Sequence, residues 1–172
     1  MIHVCPLSRL EETLLSSGAS HLVTLLRADT PFLRPASVVQ ERHLALFMHD
    51  IAEEQPDMVA PAESHVGQLL AFAGDWDRSR PMLIHCYAGI SRSTAAAYIV
   101  AAALEPDRDE RELAQTLRRL SPSATPNPRL VAIADSMLGR DGRMIDAIVA
   151  IGRGADAFEG TPFCLPLTNK SV

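Results

Sequence analysis

One short stretch carries residue types that can do covalent chemistry: Ile84-His85-Cys86-Tyr87-Ala88-Gly89-Ile90-Ser91-Arg92-Ser93-Thr94. Cys86 and Arg92 bracket five loop residues, between an apolar run at Met82–Ile84 and an alanine-rich run at Ala95–Leu104. The order reads as buried strand, tight loop, helix. Loop amides and a helix N-terminus converging on one point suit a tetrahedral dianion such as phosphate. The thiolate is the nucleophilic form of cysteine, and the loop amides, the helix dipole and Arg92 all favour that anion at Cys86. Arg92 can hold two oxygens at once with its planar fork, which lysine cannot. Gly89 lets the backbone turn without a Cβ clash. Ser93 can hydrogen-bond the sulfur and stabilise it as a leaving group.

The wording HCYAGISRS resembles the signature loop of the cysteine-dependent protein tyrosine phosphatases, especially their small dual-specificity-like branch. The family pattern is His-Cys, five residues, Arg, then Ser or Thr, and His85, Cys86, Arg92 and Ser93 fill those places. A bare Cys-x5-Arg arises often by chance; the extended match between a strand and a helix is specific. Taken singly, Cys86 would read as a small buried apolar residue, His85 as a structural histidine and Arg92 as a surface charge. Their joint spacing decides otherwise. The resemblance implies a phosphoric monoester hydrolase working through a cysteinyl-phosphate. Cys86 is then the nucleophile, and Tyr87, Ala88, Gly89, Ile90, Ser91 and Arg92 hold the phosphate. His85 supports the nucleophile. It implies no metal and no cofactor.

Phosphoester cleavage also needs a proton for the leaving oxygen, which a carboxylic acid within reach can supply. In the family an aspartate on a separate upstream loop does this. Asp50, at the end of the apolar run Leu44–Met48, is preferred for that role. Asp57, after Gln55-Pro56, is the alternative, because the chain lacks the Trp-Pro-Asp wording of tyrosine-specific members. Pro126-Asn127 looks like the Pro-Asn that opens a late helix in dual-specificity members. Asn127 is therefore expected chiefly as a helix cap, with positioning near the site as its second role.

The elements that must place these residues follow from apolar periodicity. Ile2–Cys5, His21–Leu26, Leu44–Met48 and Met82–His85 read as strands, the second buried on both faces. Ser8-Arg9-Leu10-Glu11 reads as a capping box opening a helix with Leu10, Leu14 and Leu15 inward and Gly18 as its stop. Val66, Leu69, Leu70, Ala73 and Trp76 mark a helix. Asp109–Leu120 reads as a helix with Leu113, Leu117 and Leu120 on one face; the charges from Arg108 to Glu112, with Arg118 and Arg119, form its solvated side. Asn127-Pro128 supplies an N-cap and a proline at the first helical position, and 141–151 forms a last helix. Residues 152–172 read as an irregular tail. The fold class is thus α/β: one domain over 1–172, a mainly parallel sheet flanked by helices, and a C-terminal helical cluster. In such sheets sites lie at the carboxyl ends of strands, where both Cys86 and Asp50 fall.

Composition bounds the partners. The 172 residues are enough for one core, and the net charge of −5 comes without a polybasic block for nucleic acid or anionic lipid. No apolar run reaches the ~20 residues of a membrane helix, and no signal peptide is read at the start. Cys5, Cys86 and Cys164 are an odd count without metal spacing. A reducing cytoplasm is the expected setting. The expected partner is a phosphorylated protein or a small phosphoester. Two other readings remain: a degenerate module that binds phospho-ligands without turnover, and a sulfur-transfer or arsenate-reducing enzyme. Reduction would want a second cysteine near Cys86.

Overall fold

The computed structural model describes residues 1–168. Five strands form one sheet: β1 (Ile2–Pro6), β2 (His21–Leu26), β3 (His43–Phe47), β4 (Met82–Cys86) and β5 (Phe163–Leu165). Their order is β3-β2-β4-β1-β5, with β1 to β4 parallel and β5 antiparallel against β1. Six helices complete the fold: α1 (Leu10–Ser17), α2 (Glu63–Asp75), α3 (Arg92–Leu104), α4 (Glu110–Leu120), α5 (Pro128–Met137) and α6 (Arg143–Ile151). This is the α/β architecture the sequence predicts, with β4 at the centre of the sheet.

The sheet divides the core into two unequal parts. On one face Val4, Val23, Leu25, Ile84 and Cys86 meet helices α2 to α6 in the main core. On the other, Cys5, Leu22 and Leu83 meet α1, Val38 and Phe32 in a smaller one. Because side chains alternate along a strand, Cys86 and its neighbour His85 lie on opposite faces. Helix α3 is buried from Arg92 to Ala102. Its alanines let the sheet and the surrounding helices come close, and burying each larger side chain such as Ile99 contributes about 1.5–3 kcal/mol. No helix is long and apolar enough to cross a membrane among the described residues.

Several local expectations are corrected. The capping box at Ser8 does not form: Leu7–Arg9 is a 3₁₀ turn, and α1 starts at Leu10 without a side-chain cap. The reason is that Leu7 N donates to Tyr87 O at 3.1 Å, tying this turn to the loop after β4. Ser8 Oγ instead donates to Glu159 Oε2 at 2.7 Å. Leu15 points outward and is 86% exposed, since only Leu10 and Leu14 share the i, i+4 face. Leu120, the last residue of α4, is likewise exposed. Glu110 is not on a solvated face; it is buried and accepts from Arg140 Nη1 and Arg143 Nε, both at 3.2 Å. Arg108 is mostly buried too, bridging Glu105 and Glu112. The tail is irregular from Gly152 to Pro162, then adds β5 to the sheet before an irregular end at 166–168. Residues 169–172 of the expected tail lie outside the described residues.

Candidate active site

Strand β4 carries Cys86 to its carboxyl end, and α3 begins at Arg92. The loop between them, residues 87–91, is held by outside donors. Tyr87 O accepts from Leu7 N at 3.1 Å, Ala88 O from Gly160 N at 2.8 Å, Ile90 O from Thr125 N at 2.9 Å and Ser91 O from Asn127 N at 3.3 Å. In a planar trans peptide the N–H points away from the C=O that precedes it. Tying these four carbonyls outward therefore turns the amides of Ala88, Gly89, Ser91 and Arg92 inward. The loop becomes a set of donors with nowhere to point but its own centre. Gly89 has φ +70°, and a Cβ there would sit 2.7 Å from Pro6 N. Only glycine fits that close approach.

The Cys86 sulfur lies at the bottom of this cradle, buried, with Gly89 N donating to it at 3.2 Å and Ser93 Oγ 3.1 Å away. Arg92 is also buried, and its Nη1 donates to Met48 O at 2.9 Å, which anchors the guanidinium to the end of β3. Its Nε is buried with no hydrogen-bond partner among the described residues. An unmet donor of that kind costs about 1–3 kcal/mol, and the Asp50 carboxylate lies 4.0 Å from it. Tyr87 stands at the lip, 60% exposed.

Asp50 reaches the same point from the chain after β3. Its Oδ1 accepts from Ser91 Oγ at 2.6 Å and from Asn127 Nδ2 at 2.8 Å. Its Oδ2 lies 4.0 Å from Arg92 Nε. Both hydrogen bonds fall on one oxygen, and Oδ2 accepts none among the described residues. Asn127 does two jobs at once: its Oδ1 caps α5 by accepting from Arg129 N and Leu130 N, both at 3.1 Å. Asp57 has no such place. It sits in an exposed turn at φ 60°, and no hydrogen bond or ion pair joins it to the loop among the described residues.

His85 is fully buried, on the face of the sheet opposite Cys86. Its Nε2 is 2.8 Å from Thr24 Oγ1, whose other neighbour is His43 Nε2 at 3.0 Å. Burial lowers the His85 pKa to about 4, the adjacent Cys86 backbone opposing the shift. Cys5 pairs in register with His85, so its thiol faces away from Cys86. Burial pushes that thiol up to about 12. Cys164 lies on β5 opposite His3. All three cysteines are free, and the geometry offers Cys86 no resolving thiol. No group of three or more His, Cys, Asp or Glu side chains is gathered as a metal would require among the described residues.

Beside the cradle lies a cleft of about 340 Å³ whose lining includes Asp50, Ser91, Thr125, Asn127, Arg153 and Asp156. No aromatic side chain lines it. The structure thus gathers Cys86, Arg92, Ser93, Asp50, Asn127 and the 87–91 backbone at one point and leaves Asp57 outside. Sequence reasoning missed Thr24, His43 and Gly160. Thr24 was visible as the polar residue inside the apolar run Leu22–Leu26; Gly160 left no signal beyond being one glycine of the tail.

No family model matches the chain, and no curated protein matches it. Solved structures do. The Cydia pomonella PTP-2 phosphatase is 18% identical, with 78% of this chain and 84% of that one covered at a TM-score of 0.62. Human DUSP28 is 18% identical over 87% and 94% of the two chains, TM-score 0.59. PTPMT1 in complex with PI(5)P is 15% identical over 86% and 89%, TM-score 0.60. At these identities the likeness establishes the fold, which is that of the small dual-specificity-like phosphatases.

Proposed function

We propose that this chain is a cysteine-dependent phosphatase that hydrolyses phosphate monoesters through a cysteinyl-phosphate. The observation that supports it most is the loop itself: four of its carbonyls are tied to outside donors, the Gly89 amide donates to Cys86 Sγ, and the Nε of Arg92, which opens the following helix, is buried without a partner among the described residues. In the first step the Cys86 thiolate attacks phosphorus. The P–O bond to the alcohol breaks, and the leaving oxygen takes the proton of Asp50 Oδ2. Charge on the equatorial oxygens meets the amides and Arg92 as it develops, which is where fixed dipoles are most effective. In the second step water attacks phosphorus, Asp50 takes its proton, and the Cys86 sulfur leaves as thiolate beside the Ser93 hydroxyl. None of these steps calls on a cofactor or metal.

The substrate side of the reading is a phosphorylated protein or a small phosphoester. The cleft beside the cradle lacks an aromatic clamp for a phosphotyrosine ring, and one structurally similar protein holds a phosphoinositide. A panel of phosphotyrosine and phosphoserine peptides, phosphoinositides, nucleotides and an aryl phosphate, assayed with the wild type and Cys86→Ser, is the test. Turnover by the wild type that disappears in Cys86→Ser is expected. Equal rates for the two proteins would end the proposal. A reducing, cytoplasmic setting suits the free thiol.

A further inference from the structure

The rear face of the sheet holds a group that the mechanism above does not use. Thr24 and His85 are direct partners in the β2–β4 register. His43 pairs with Leu22 on the next strand, one diagonal step from Thr24 and on the same face. The Thr24 hydroxyl lies between the two imidazoles, 2.8 Å from His85 Nε2 and 3.0 Å from His43 Nε2. Phe32 covers both rings, its centroid 5.4 Å from that of His85 and 5.7 Å from that of His43. Thr24 and His85 are fully buried and His43 is half-buried.

A threonine hydroxyl carries one proton. Thr24 makes no third side-chain hydrogen bond among the described residues, and a buried hydroxyl proton without an acceptor is costly. One imidazole must therefore present a bare Nε2 and the other an N–H. The chain has a fixed polarity and no net charge, in keeping with burial, which lowers the pKa of both histidines. A ring locked this way cannot rotate without breaking the chain, and His85 is joined to Cys86 by one peptide bond.

We propose that Thr24 and His43 are positioning residues for the reaction at Cys86: with His85 they form a neutral hydrogen-bonded relay that fixes the backbone from which the nucleophile and the first loop amide project. The relay is built from the face of the sheet opposite the substrate, so it acts through His85 and touches no reacting atom. The proposal rests on the phosphatase reading for its kinetic consequence and on the hydrogen bonds alone for its existence.

Thr24→Val removes the hydroxyl at nearly constant shape, and Thr24→Ser restores it. His43→Leu and His43→Gln do the same at the half-buried end, where folding is least at risk. With an aryl phosphate, Thr24→Val is expected to lose about tenfold or more in kcat with KM within about threefold. Thr24→Ser recovers most of that loss, and His43→Leu and His43→Gln repeat the contrast. If Thr24→Val does not fold, the His43 pair decides. In the wild type at neutral pH, imidazole ¹⁵N resonances should show His43 and His85 in opposite Nε2 states. Unchanged kcat in Thr24→Val or His43→Leu, a Thr24→Ser as slow as Thr24→Val, or two imidazoles in the same Nε2 state overturns the relay. Should the wild type hydrolyse nothing, the phosphatase reading fails by itself, and affinity for inorganic phosphate replaces kcat. Weaker phosphate binding in Thr24→Val but not Thr24→Ser then supports the relay, and equal binding overturns it.

Discussion

Asn127 Nδ2 donates to Asp50 Oδ1 at 2.8 Å, while Asn127 Oδ1 caps α5 through two backbone amides. One side chain thus ties the carboxylate to a rigid helix end. The two jobs can be separated. Asn127→Ser keeps a capping oxygen but cannot reach Asp50 with a donor; Asn127→Ala loses both. Asn127→Ala is expected to lose about 1 kcal/mol of stability, measured by denaturant unfolding, and Asn127→Ser much less. Both variants should lose turnover on alkyl phosphates, because Asp50 then keeps one hydrogen bond, from Ser91, and its longer ion pair with Arg92. Turnover that follows stability rather than the missing donor would reduce Asn127 to a cap.

The proposed acid, Asp50, is tested through the leaving group. A general acid matters most when the departing oxygen is a poor leaving group. Asp50→Asn should slow an alkyl or phenyl phosphate by about 10²–10⁴-fold and a nitrophenyl phosphate far less. Asp57→Asn should change neither, since Asp57 sits in an exposed turn. Steady-state rates for both variants on both substrates decide between them.

His85 makes stability depend on pH in a defined direction. Its folded pKa of about 4 lies below the ordinary 6.5. The unfolded chain therefore binds a proton between these values that the folded chain refuses, so stability falls as pH drops from about 6.5 toward 4 and this contribution levels off below. The full effect is roughly 3 kcal/mol. His3, His21, His43 and His65 are shifted the same way by burial and add to the slope. Melting temperatures across pH 7 to 4 should show His85→Gln with a shallower acid loss than the wild type. Parallel curves would mean that His85 is not held neutral.

The strand–loop–helix around Cys86 and Arg92, the order of strands and helices, and the position of Asp50 beside that loop were legible because each rests on local pattern. Cys86 and Arg92 are fixed by spacing, β2 and β4 by short apolar runs, α5 by Asn127-Pro128. What was not legible is what arrives from far along the chain. Ser8 reads as a helix cap, yet a backbone bond from Leu7 to Tyr87 claims that turn for the active loop. Glu110 reads as solvated until Arg140 and Arg143, on the far side of α5, are brought against it. Gly160 belongs to a tail with no periodicity, and its role appears only when β5 returns that tail to β1.

Gly160 carries the last prediction. Its amide holds Ala88 O at 2.8 Å, and a Cβ there would come within 2.7 Å of Gly89 O. Gly160→Ala must therefore push the tail off the loop or move the Ala88–Gly89 peptides. Either change frees the carbonyl that turns the Gly89 amide toward Cys86 Sγ. Gly74→Ala in α2 is the control, because a Cβ there meets nothing within 4 Å. Gly74 lies in the last turn of α2, so alanine there should stabilise by less than the ~0.5–1 kcal/mol of a mid-helix site. Gly160→Ala should cost turnover on every substrate, nitrophenyl phosphate included, because in the proposed reaction the amide cradle serves the phosphoryl group rather than the leaving oxygen. That insensitivity to the leaving group separates it from Asp50→Asn. A Gly160→Ala protein with wild-type turnover, measured alongside Gly74→Ala, would show that the tail only covers the loop and does not shape it.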